Sequence, residues 1–275
     1  MKRIVVPIDF SPYSEKAFLS AVKIAAKGDA SITCINVVNT TVDWKNLSEK
    51  EKARHQEILD RQSEAIDKLK AFIIDHKVKH NPVEAVVEVG IPAHCIAETA
   101  KKQMADLIII GAYGRGYEEG KFIGSTMQKV LRFADSPVLA VKRVVDRRAM
   151  KKMVFASLFN EDSRPAFVRM KPLIKSLGAS VYFLYINTPS KFTNSGKAEE
   201  LMRKYGSGNE DLIIHRHIYN HDEAEKGIID FSENQKAGLI GIASNTRKSN
   251  SSYQIGVTET VLYKTEIPVL SVKFE

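Results

Sequence analysis

Residues 4–38 read IVVPIDFSPYSEKAFLSAVKIAAKGDASITCINVV, and residues 153–187 read MVFASLFNEDSRPAFVRMKPLIKSLGASVYFLYIN. The two stretches align without a gap, so that Ser14, for example, falls opposite Ser163. Each stretch is an apolar run of strand length, then a segment with helical spacing, then a second apolar run. The chain therefore contains two copies of one strand–helix–strand unit, and a repeat of this size decides the fold.

The two copies also match at their far ends. ADLIIIGA at 105–112 corresponds to AGLIGIA at 237–243. The basic stretch around 143–151 is the junction between the copies. We predict two domains, residues 1–145 and residues 150–275, each large enough to hold its own core.

Apolar runs alternate with helical segments along the first copy, and five of these runs have the length of a strand. Strands that are apolar on both faces belong in a parallel sheet covered by helices on both sides. The charged stretch 48–79 carries apolar residues along one side and is predicted as one long helix. We therefore predict an α/β protein with two tandem, doubly wound, five-stranded parallel-sheet domains of the Rossmann-like type. Such folds bind ligands at the carboxyl ends of their strands.

Composition limits the classes of function. The chain has 275 residues and a net charge of +8, and it contains no apolar run of ~18 residues that would span a membrane. The basic stretch at 141–152 lacks the aromatic and glycine motifs of nucleic-acid modules, so we interpret it as a solvated linker. The two cysteines, Cys34 and Cys95, are predicted to be free, buried thiols in a reducing cytoplasm.

The loop after the fourth strand reads GAYGRGYEEGKFIGST, from Gly111 to Thr126. Glycines such as Gly111, Gly114 and Gly124 let backbone amides approach a ligand closely. A helix begins at Ser125, with unpaired amides and the positive end of the helix dipole. Together these features suit an anion, above all phosphate. Ser125 either adds a hydroxyl hydrogen bond or caps the helix. Neither the Walker spacing nor the G-x-G-x-x-G pattern fits this loop.

The spacing that does fit is G-x2-G-x9-G-[ST], and it resembles the nucleotide-binding signature of the universal stress protein family. PIDFSPYSEKAF after the first strand, NVV at the end of the second, VGIPAHCI after the third and SPVLAVK as the last strand all stand where that family has them. The resemblance covers the first half of the chain, and the second half is similar to a degenerate copy. It implies a tandem member of the family with an adenine-nucleotide-hydrolase-like version of the Rossmann-like fold.

The resemblance implies that the first half binds ATP, with Mg²⁺ carried on the phosphates as an option. Asp9, with Pro7 and Ile8 beside it, is implied to contact the adenosine moiety. Val37 and Val38 are implied to form an apolar wall for adenine, and the glycine loop is implied to hold the ribose and phosphates. The implied ATP-binding residues are Pro7, Ile8, Asp9, Val37, Val38, Gly111, Gly114, Arg115, Gly124, Ser125 and Thr126.

Simpler alternatives stay open for these residues. Asp9 in one alternative only caps the following helix. Val37 and Val38 are then ordinary core residues, and the glycine loop binds nothing. Arg115 and Lys121 either screen phosphate charge or stay solvated.

The second half departs from the pattern of the first. Leu158 replaces the aspartate, Ser244 stands where Gly114 would, and Val257 replaces the serine. We predict that this half does not bind nucleotide in the same way and that it supplies packing surface, so that the tandem chain resembles the family's dimer.

Other constellations are weaker. His215 and His217 share one face of a strand without a third ligand, so we predict no metal site. His94 and Cys95 lack an oriented third group, so we predict no nucleophilic catalysis. Trp44, in a polar loop, is either a partner contact or a packing anchor.

Taken together, these patterns favour a cytoplasmic stress-response protein that binds ATP and acts as a nucleotide-dependent sensor or adaptor. The alternatives are an interaction protein of the same fold that binds no nucleotide, and a slow ATPase. Because neither a general base nor a set of metal ligands is placed, we expect no enzymatic activity. The expected partners are an adenine nucleotide, unidentified proteins and a second copy of the chain in a homodimer, but neither nucleic acid nor membrane.

Overall fold

The computed structural model describes residues 1–25, 30–76, 78, 80–118, 120, 122–245 and 256–274. The chain divides into two compact units, which are Met1–Val138 with Lys142–Val144, and Leu139–Val141 with Val145–Glu275. The predicted domain limits of 1–145 and 150–275 stay a prediction. In the part of the chain that the structure describes, no helix is long and apolar enough to cross a membrane.

Strands and helices alternate along the N-terminal repeat. Its elements are β1 (Arg3–Pro7), α1 (Pro12–Ala25), β2 (Ser31–Asn39), a 3₁₀ turn (Trp44–Asn46), α2 (Glu49–Lys52), α3 (Gln56–Asp75), β3 (Val83–Gly90), α4 (Pro92–Lys102), β4 (Leu107–Gly111), α5 (Ser125–Phe133) and β5 (Val138–Val141). Strand β1 pairs in parallel with β2 and β4, and β2 pairs in parallel with β3. In the order β3-β2-β1-β4, strands β2 and β3 therefore lie on one side of β1, and β4 lies on the other side. Ligands of doubly wound sheets bind at the carboxyl edge, beside this switch in strand order.

The C-terminal repeat follows the same plan. Its elements are β6 (Lys152–Ala156), a 3₁₀ turn (Glu161–Ser163), α6 (Arg164–Leu177), β7 (Ser180–Asn187), α7 (Ser195–Gly206), β8 (Ile214–Asn220), α8 (Ala224–Asn234), β9 (Leu239–Asn245), α9 (Val257–Lys264) and β10 (Val269–Phe274). Its strands run in the order β10-β9-β6-β7-β8, and neighbouring strands are parallel. The predicted α/β class and doubly wound parallel arrangement are confirmed.

Burial explains why these strands form parallel sheets. Ile4, Val5 and Val6 of β1 are at most 1% exposed, and Leu107–Ile110 of β4 are at most 5% exposed. Successive residues of a strand point to opposite faces, so both faces of β1 and β4 are covered. Continuous apolar runs are what such strands require.

The two copies also share positive φ angles at corresponding residues that are not glycine. Phe10 follows β1 with φ of 62°, and its counterpart Phe159 follows β6 with φ of 53°. Met104 and its counterpart Lys236 have φ of 48° and 52°. Left-handed backbone is uncommon outside glycine, so its occurrence at the same two points supports the sequence alignment of the copies.

The prediction of one helix over 48–79 is wrong, because the chain forms two helices there. Helix α2 begins after Ser48, whose side chain and that of Glu51 form a capping box, but none of the four residues of α2 is buried. Helix α3 starts afresh at Gln56 and buries Ile58 and Leu69. A segment without an apolar face gains little from tertiary packing, and this accounts for the early end of α2.

Trp44 packs into the interior beneath this segment. Its side chain is 9% exposed and belongs to a buried cluster with Val38, Ile58, Ala65 and Val89. Of the two roles that the sequence left open for Trp44, the structure supports the packing anchor.

The sequence suggested that the basic junction is a solvated linker, but two of its side chains bond to a helix. Arg147 donates a hydrogen bond to the carbonyl oxygen of Ser176, and Lys151 Nζ donates to that of Leu177 at 2.6 Å. Both acceptors lie in the last turn of α6, where carbonyl groups lack partners within the helix. The junction therefore caps the carboxyl end of α6.

Candidate functional site

A cavity of about 540 Å³ lies at the carboxyl edge of the N-terminal sheet. It is bounded by the ends of β1, β2 and β4, by α3, and by the amino ends of α4 and α5. All the predicted site residues line it, namely Pro7, Ile8, Asp9, Val37, Val38, Gly111, Gly114, Arg115, Gly124, Ser125 and Thr126. The structure thus brings the predicted residues together, whereas their contacts with a ligand stay a prediction.

Two glycines of the loop leave no room for a side chain. A Cβ atom at Gly111 would lie 2.7 Å from the backbone carbonyl group of Tyr13, and one at Gly114 would lie 2.8 Å from Oδ2 of Asp9. The nearest atom to a Cβ at Gly124 is the backbone nitrogen of Gly114, at an ordinary 3.6 Å. Close approach of the chain therefore explains the glycines at 111 and 114.

Asp9 holds two segments in place at once. Its Oδ1 accepts a hydrogen bond from the amide of Ser11 at 3.0 Å, and its Oδ2 accepts one from the amide of Arg115, also at 3.0 Å. Ser11 itself accepts a hydrogen bond on Oγ from the amide of Ser14 at the start of α1. Ser11 thus provides the helix cap that was one alternative role for Asp9, and Asp9 ties the glycine loop to the end of β1.

The carboxyl group of Asp9 is ionised at neutral pH. Burial raises its pKa, but hydrogen bonds from the side chain and backbone of Ser11, from the side chain of Ser14 and from the amide of Arg115 outweigh burial, so that the pKa is lowered from its usual value. An ionised carboxylate accepts hydrogen bonds and donates none. Asp9 is therefore suited to a hydroxyl donor rather than to a phosphate.

The glycine loop is folded back on itself next to the cavity. The amide of Tyr117 donates to the carbonyl oxygen of Gly114 at 3.2 Å, and the amide of Gly124 donates to that of Ala112 at 3.0 Å. Gly116, between the first pair, has φ of 77°, which only glycine adopts without strain. The first bond closes a turn over 114–117 whose first two residues line the cavity, and the second bond joins the two ends of the loop.

The amino end of α5 is open toward the cavity. The cap position is Gly124, which has no side chain to accept from the first amides of the helix. Ser125 is the first helical residue and is exposed, so it does not cap α5, and its hydroxyl is available to a ligand. Backbone amides and the helix dipole together favour an anion here.

The opposite side of the cavity is apolar at its base and charged at its rim. Val38 is 5% exposed and belongs to the cluster of Trp44, yet it also lines the cavity with Val37. The core role and the site role of Val38 are thus compatible. Sequence reasoning missed the neighbouring wall, which consists of Asn36, Asn39, Arg61, Glu64, Ala65 and Lys68.

The α3 part of this wall has a helical signature. Arg61, Glu64 and Lys68 are spaced three and four residues apart and, with Ala65 four residues after Arg61, lie along one side of α3. Arg61 donates to the carbonyl oxygen of Asn39 at 3.5 Å, and Lys68 forms an ion pair with Glu64. The helical spacing of these charged residues is visible in the sequence. The same spacing also occurs on solvated helix faces, so the sequence alone does not identify them as a cavity wall.

The guanidinium group of Arg115 lies over an aromatic ring. Its guanidinium carbon lies 5.6 Å from the ring centroid of Phe10, and both residues line the cavity. Arg115 thus stands at the cavity while it is exposed to solvent, and its contact with a phosphate stays a prediction. Lys121, its predicted companion, lies outside the described residues.

The C-terminal repeat differs at the corresponding edge. Leu158, the counterpart of Asp9, is 52% exposed, and Phe159 is only 2% exposed. The ring of Phe159 packs against Phe183 and Tyr205, with centroids 5.0 and 5.2 Å away. Aromatic side chains thus fill space near the end of β6. The glycine-poor loop at 246–255 lies outside the described residues, and the lack of nucleotide binding by this half stays a prediction.

The weaker candidates sit in ordinary environments. The His94 ring stacks on Phe133, with centroids 4.6 Å apart, and Cys95 is 3% exposed. Burial is the main cause of the raised thiol pKa of Cys95, and it raises that of Cys34 to about 12. Both thiols are free and weakly nucleophilic in this state. Among the described residues, no group of three or more His, Cys, Asp or Glu side chains is placed to hold a metal ion.

Comparisons with known proteins show the family and the fold of this chain. The model of the universal stress protein family matches residues 1–142, just over half of the chain. A universal stress protein of Methanocaldococcus jannaschii is 33% identical over 150 residues, which cover 52% of this chain and 82% of that protein.

Solved structures that resemble the whole chain include the following two. One is a universal stress protein from Archaeoglobus fulgidus, with a TM-score of 0.73, 18% identity and 98% of each chain covered. The other is a functionally unknown protein from Pseudomonas aeruginosa, with a TM-score of 0.63, 18% identity, and 100% of this chain and 93% of that chain covered. At this identity they show the fold alone. The match of the family model to more than half of the chain, at the repeat that carries the glycine loop, shows that this chain belongs to the universal stress protein family.

Proposed function

We propose that the N-terminal repeat binds ATP and that the chain acts as a nucleotide-dependent sensor or adaptor in the cytoplasmic stress response. The observation that supports this proposal most strongly is one cavity in which an ionised aspartate, an apolar wall, a glycine loop and the amino end of α5 meet. Its volume of about 540 Å³ lies in the range of small-molecule sites.

Each part of ATP has a chemically suitable neighbour in this cavity. The carboxylate of Asp9 accepts from a ribose hydroxyl, and the apolar side chains of Val37 and Val38 face the base. The amide of Gly114 and the amides at the start of α5 receive the phosphates, because they combine hydrogen-bond donors with a positive dipole. Mg²⁺ enters, where present, on the phosphate oxygens.

We propose binding without appreciable turnover. Asp9 is a carboxylate that lines the cavity beside the glycine loop, but its oxygens already accept two backbone amides, and its lowered pKa makes it a weak base. Incubation with labelled ATP and Mg²⁺ tests this point. Turnover of about 1 per second or more, within the usual enzyme range, would instead make the chain an ATPase.

Calorimetric titration of the purified chain with ATP tests the binding itself. We expect saturable binding by the wild type and a loss of at least about tenfold in affinity for Asp9→Ala and Gly114→Val. The first change removes the ribose acceptor, and the second forces a branched side chain against Asp9.

The matched control is Leu158→Ala, at the counterpart of Asp9 in the C-terminal repeat, and it should leave the affinity unchanged. If the wild type shows no saturable binding, the proposal is wrong and the chain acts through its surfaces as an interaction protein.

A further inference from the structure

We propose that Tyr13, Tyr113 and Tyr117, the tyrosine cluster, are positioning residues that hold the cavity-facing turn of the glycine loop in its binding conformation before a ligand arrives. This inference rests on the proposed function and names the residues that tune it.

The three rings pack tightly together. The rings of Tyr113 and Tyr117 stack with centroids 3.8 Å apart and an interplanar angle of 28°. Tyr13 meets both rings edge-on, at 5.0 and 5.5 Å. Such aromatic pairs stabilise an arrangement beyond the area that they bury. The cluster therefore orders an otherwise glycine-rich segment.

The cluster closes the turn that presents the loop to the cavity. Tyr113 and Tyr117 bracket Gly114, Arg115 and Gly116. The amide of Tyr117 bonds to the carbonyl oxygen of Gly114, while the amide of Arg115 bonds to Asp9. The turn is thus fixed by ring stacking at its two ends and by a carboxylate in its middle.

Contacts beyond the loop anchor the cluster. Tyr13 belongs to the first turn of α1, and its backbone occupies the space that a Cβ at Gly111 would need. Lys16 Nζ lies 4.6 Å from the ring centroid of Tyr13, and Lys142 Nζ lies 5.6 Å from that of Tyr113. These cation–π contacts add two positive charges beside the loop.

Order that exists before binding raises affinity. A glycine-rich loop that is mobile in the free protein loses conformational entropy when a ligand fixes it. If the cluster has already fixed the turn, this conformational entropy is lost when the chain folds and is not lost again when the ligand binds. The effect concerns only the ligand groups that touch the turn, so we expect it for ATP and not for adenosine.

Tyr117 is the residue to change, because it does not line the cavity, whereas Tyr113 does. The experiment compares the wild-type chain with Tyr117→Ala and Tyr117→Phe. Tyr219→Ala is the matched control, since it removes an aromatic contact with Phe231 in the C-terminal repeat. Calorimetry measures the affinities for ATP and for adenosine, and hydrogen exchange measures the protection of amides 112–117 in the ligand-free protein.

We expect Tyr117→Ala to weaken ATP binding about tenfold, which corresponds to the worth of one or two aromatic contacts. Adenosine affinity should stay the same, and amides 112–117 should exchange faster without ligand. Tyr117→Phe keeps the stack and should behave as the wild type, as should Tyr219→Ala.

Three outcomes would overturn the inference: unchanged ATP affinity in Tyr117→Ala, equal losses for ATP and adenosine, or unchanged exchange at 112–117. If the wild type binds neither ligand, the proposed function fails. The exchange comparison then still decides whether the cluster orders the turn.

Discussion

Gly111, the first residue of the glycine loop, must lack a side chain for the loop to take its position. The space that a Cβ at Gly111 would need is filled by the backbone of Tyr13, 2.7 Å away. Backbone atoms do not move aside as the end of a flexible side chain does, so the close approach of β4 to α1 depends on this glycine.

Replacing Gly111 by alanine should therefore destabilise the chain, by about 1–3 kcal/mol, since overpacking of a tight contact costs this much. Gly124→Ala is the matched control, because its Cβ would meet only ordinary contacts at 3.6 Å or more. Denaturant unfolding measures both. Equal stability of the Gly111→Ala chain and the wild type would contradict the packing described at this residue.

Among the elements, helix α6 is stabilised by the basic junction at 143–151, which the sequence suggested to be a solvated linker. Its carboxyl end is capped by Gly178 in a left-handed conformation, and Arg147 and Lys151 of the junction add hydrogen bonds to the carbonyl groups of Ser176 and Leu177. Positive charge at a helix carboxyl terminus also interacts favourably with the dipole.

Lys151→Met should lower the free energy of unfolding by about 1 kcal/mol, the typical net value of one hydrogen bond. Methionine keeps most of the side-chain length but donates no hydrogen bond. Arg148→Met is the control, because Arg148 is exposed and its side chain has no hydrogen bond among those of the described residues. A smaller loss for Lys151→Met than for Arg148→Met would show that the cap does not contribute.

The sequence could predict those elements whose pattern has a single physical meaning. Continuous apolar runs such as that of β4 specify buried parallel strands, and the glycines at 111, 114 and 124 indicate a loop at the sheet edge, where all three line the cavity. The charged residues of α3 have no such specificity, because Arg61 and Lys68 would look the same on a solvated helix. Only their position beside the cavity distinguishes them.

The early end of α2 was equally hard to foresee. The capping box of Ser48 and Glu51 is readable as a helix start, but no glycine or proline marks the stop. The break depends instead on tertiary packing, since α2 buries none of its residues while α3 buries Ile58, Ala65 and Leu69. Periodicity alone does not reveal which part of a charged helix meets the core.

For the whole molecule, the half-buried His217 couples stability to pH. The His217 ring stacks on Tyr182 with centroids 5.3 Å apart and contacts Phe231, and its Nε2 has no hydrogen-bond partner among the described residues. Burial is the main cause of its lowered pKa, and nearby His215 and Lys152 act in the same direction against an opposing effect of Glu199.

The unfolded chain therefore takes up this proton at a higher pH than the folded chain does. The contribution of neutral His217 is fully present above the usual histidine pKa of ~6.5 and is lost as the pH falls from there through the lower folded value. His217→Phe keeps a ring in place but removes the titration. We expect a smaller fall in Tm between pH 7.5 and pH 5.5 in this variant than in the wild type. An unchanged or larger fall would contradict the account.

The two copies share a plan but differ in what stands at the sheet edge. In the N-terminal repeat, Asp9 and Gly114 leave an open cavity, whereas in the C-terminal repeat Phe159 packs against Tyr205 near the corresponding strand end. We therefore expect one nucleotide for each chain. Native mass spectrometry of the protein with ATP measures this number, and two bound nucleotides would show that the second copy has kept a site.

Diffraction from crystals grown with ATP tests the central claim most directly, because it locates the ligand. The account predicts density for one nucleotide in the N-terminal cavity, with the base against Val37 and Val38 and the phosphates at Gly114 and the amino end of α5. An empty cavity at saturating ATP, or a nucleotide bound to the C-terminal repeat instead, would contradict it.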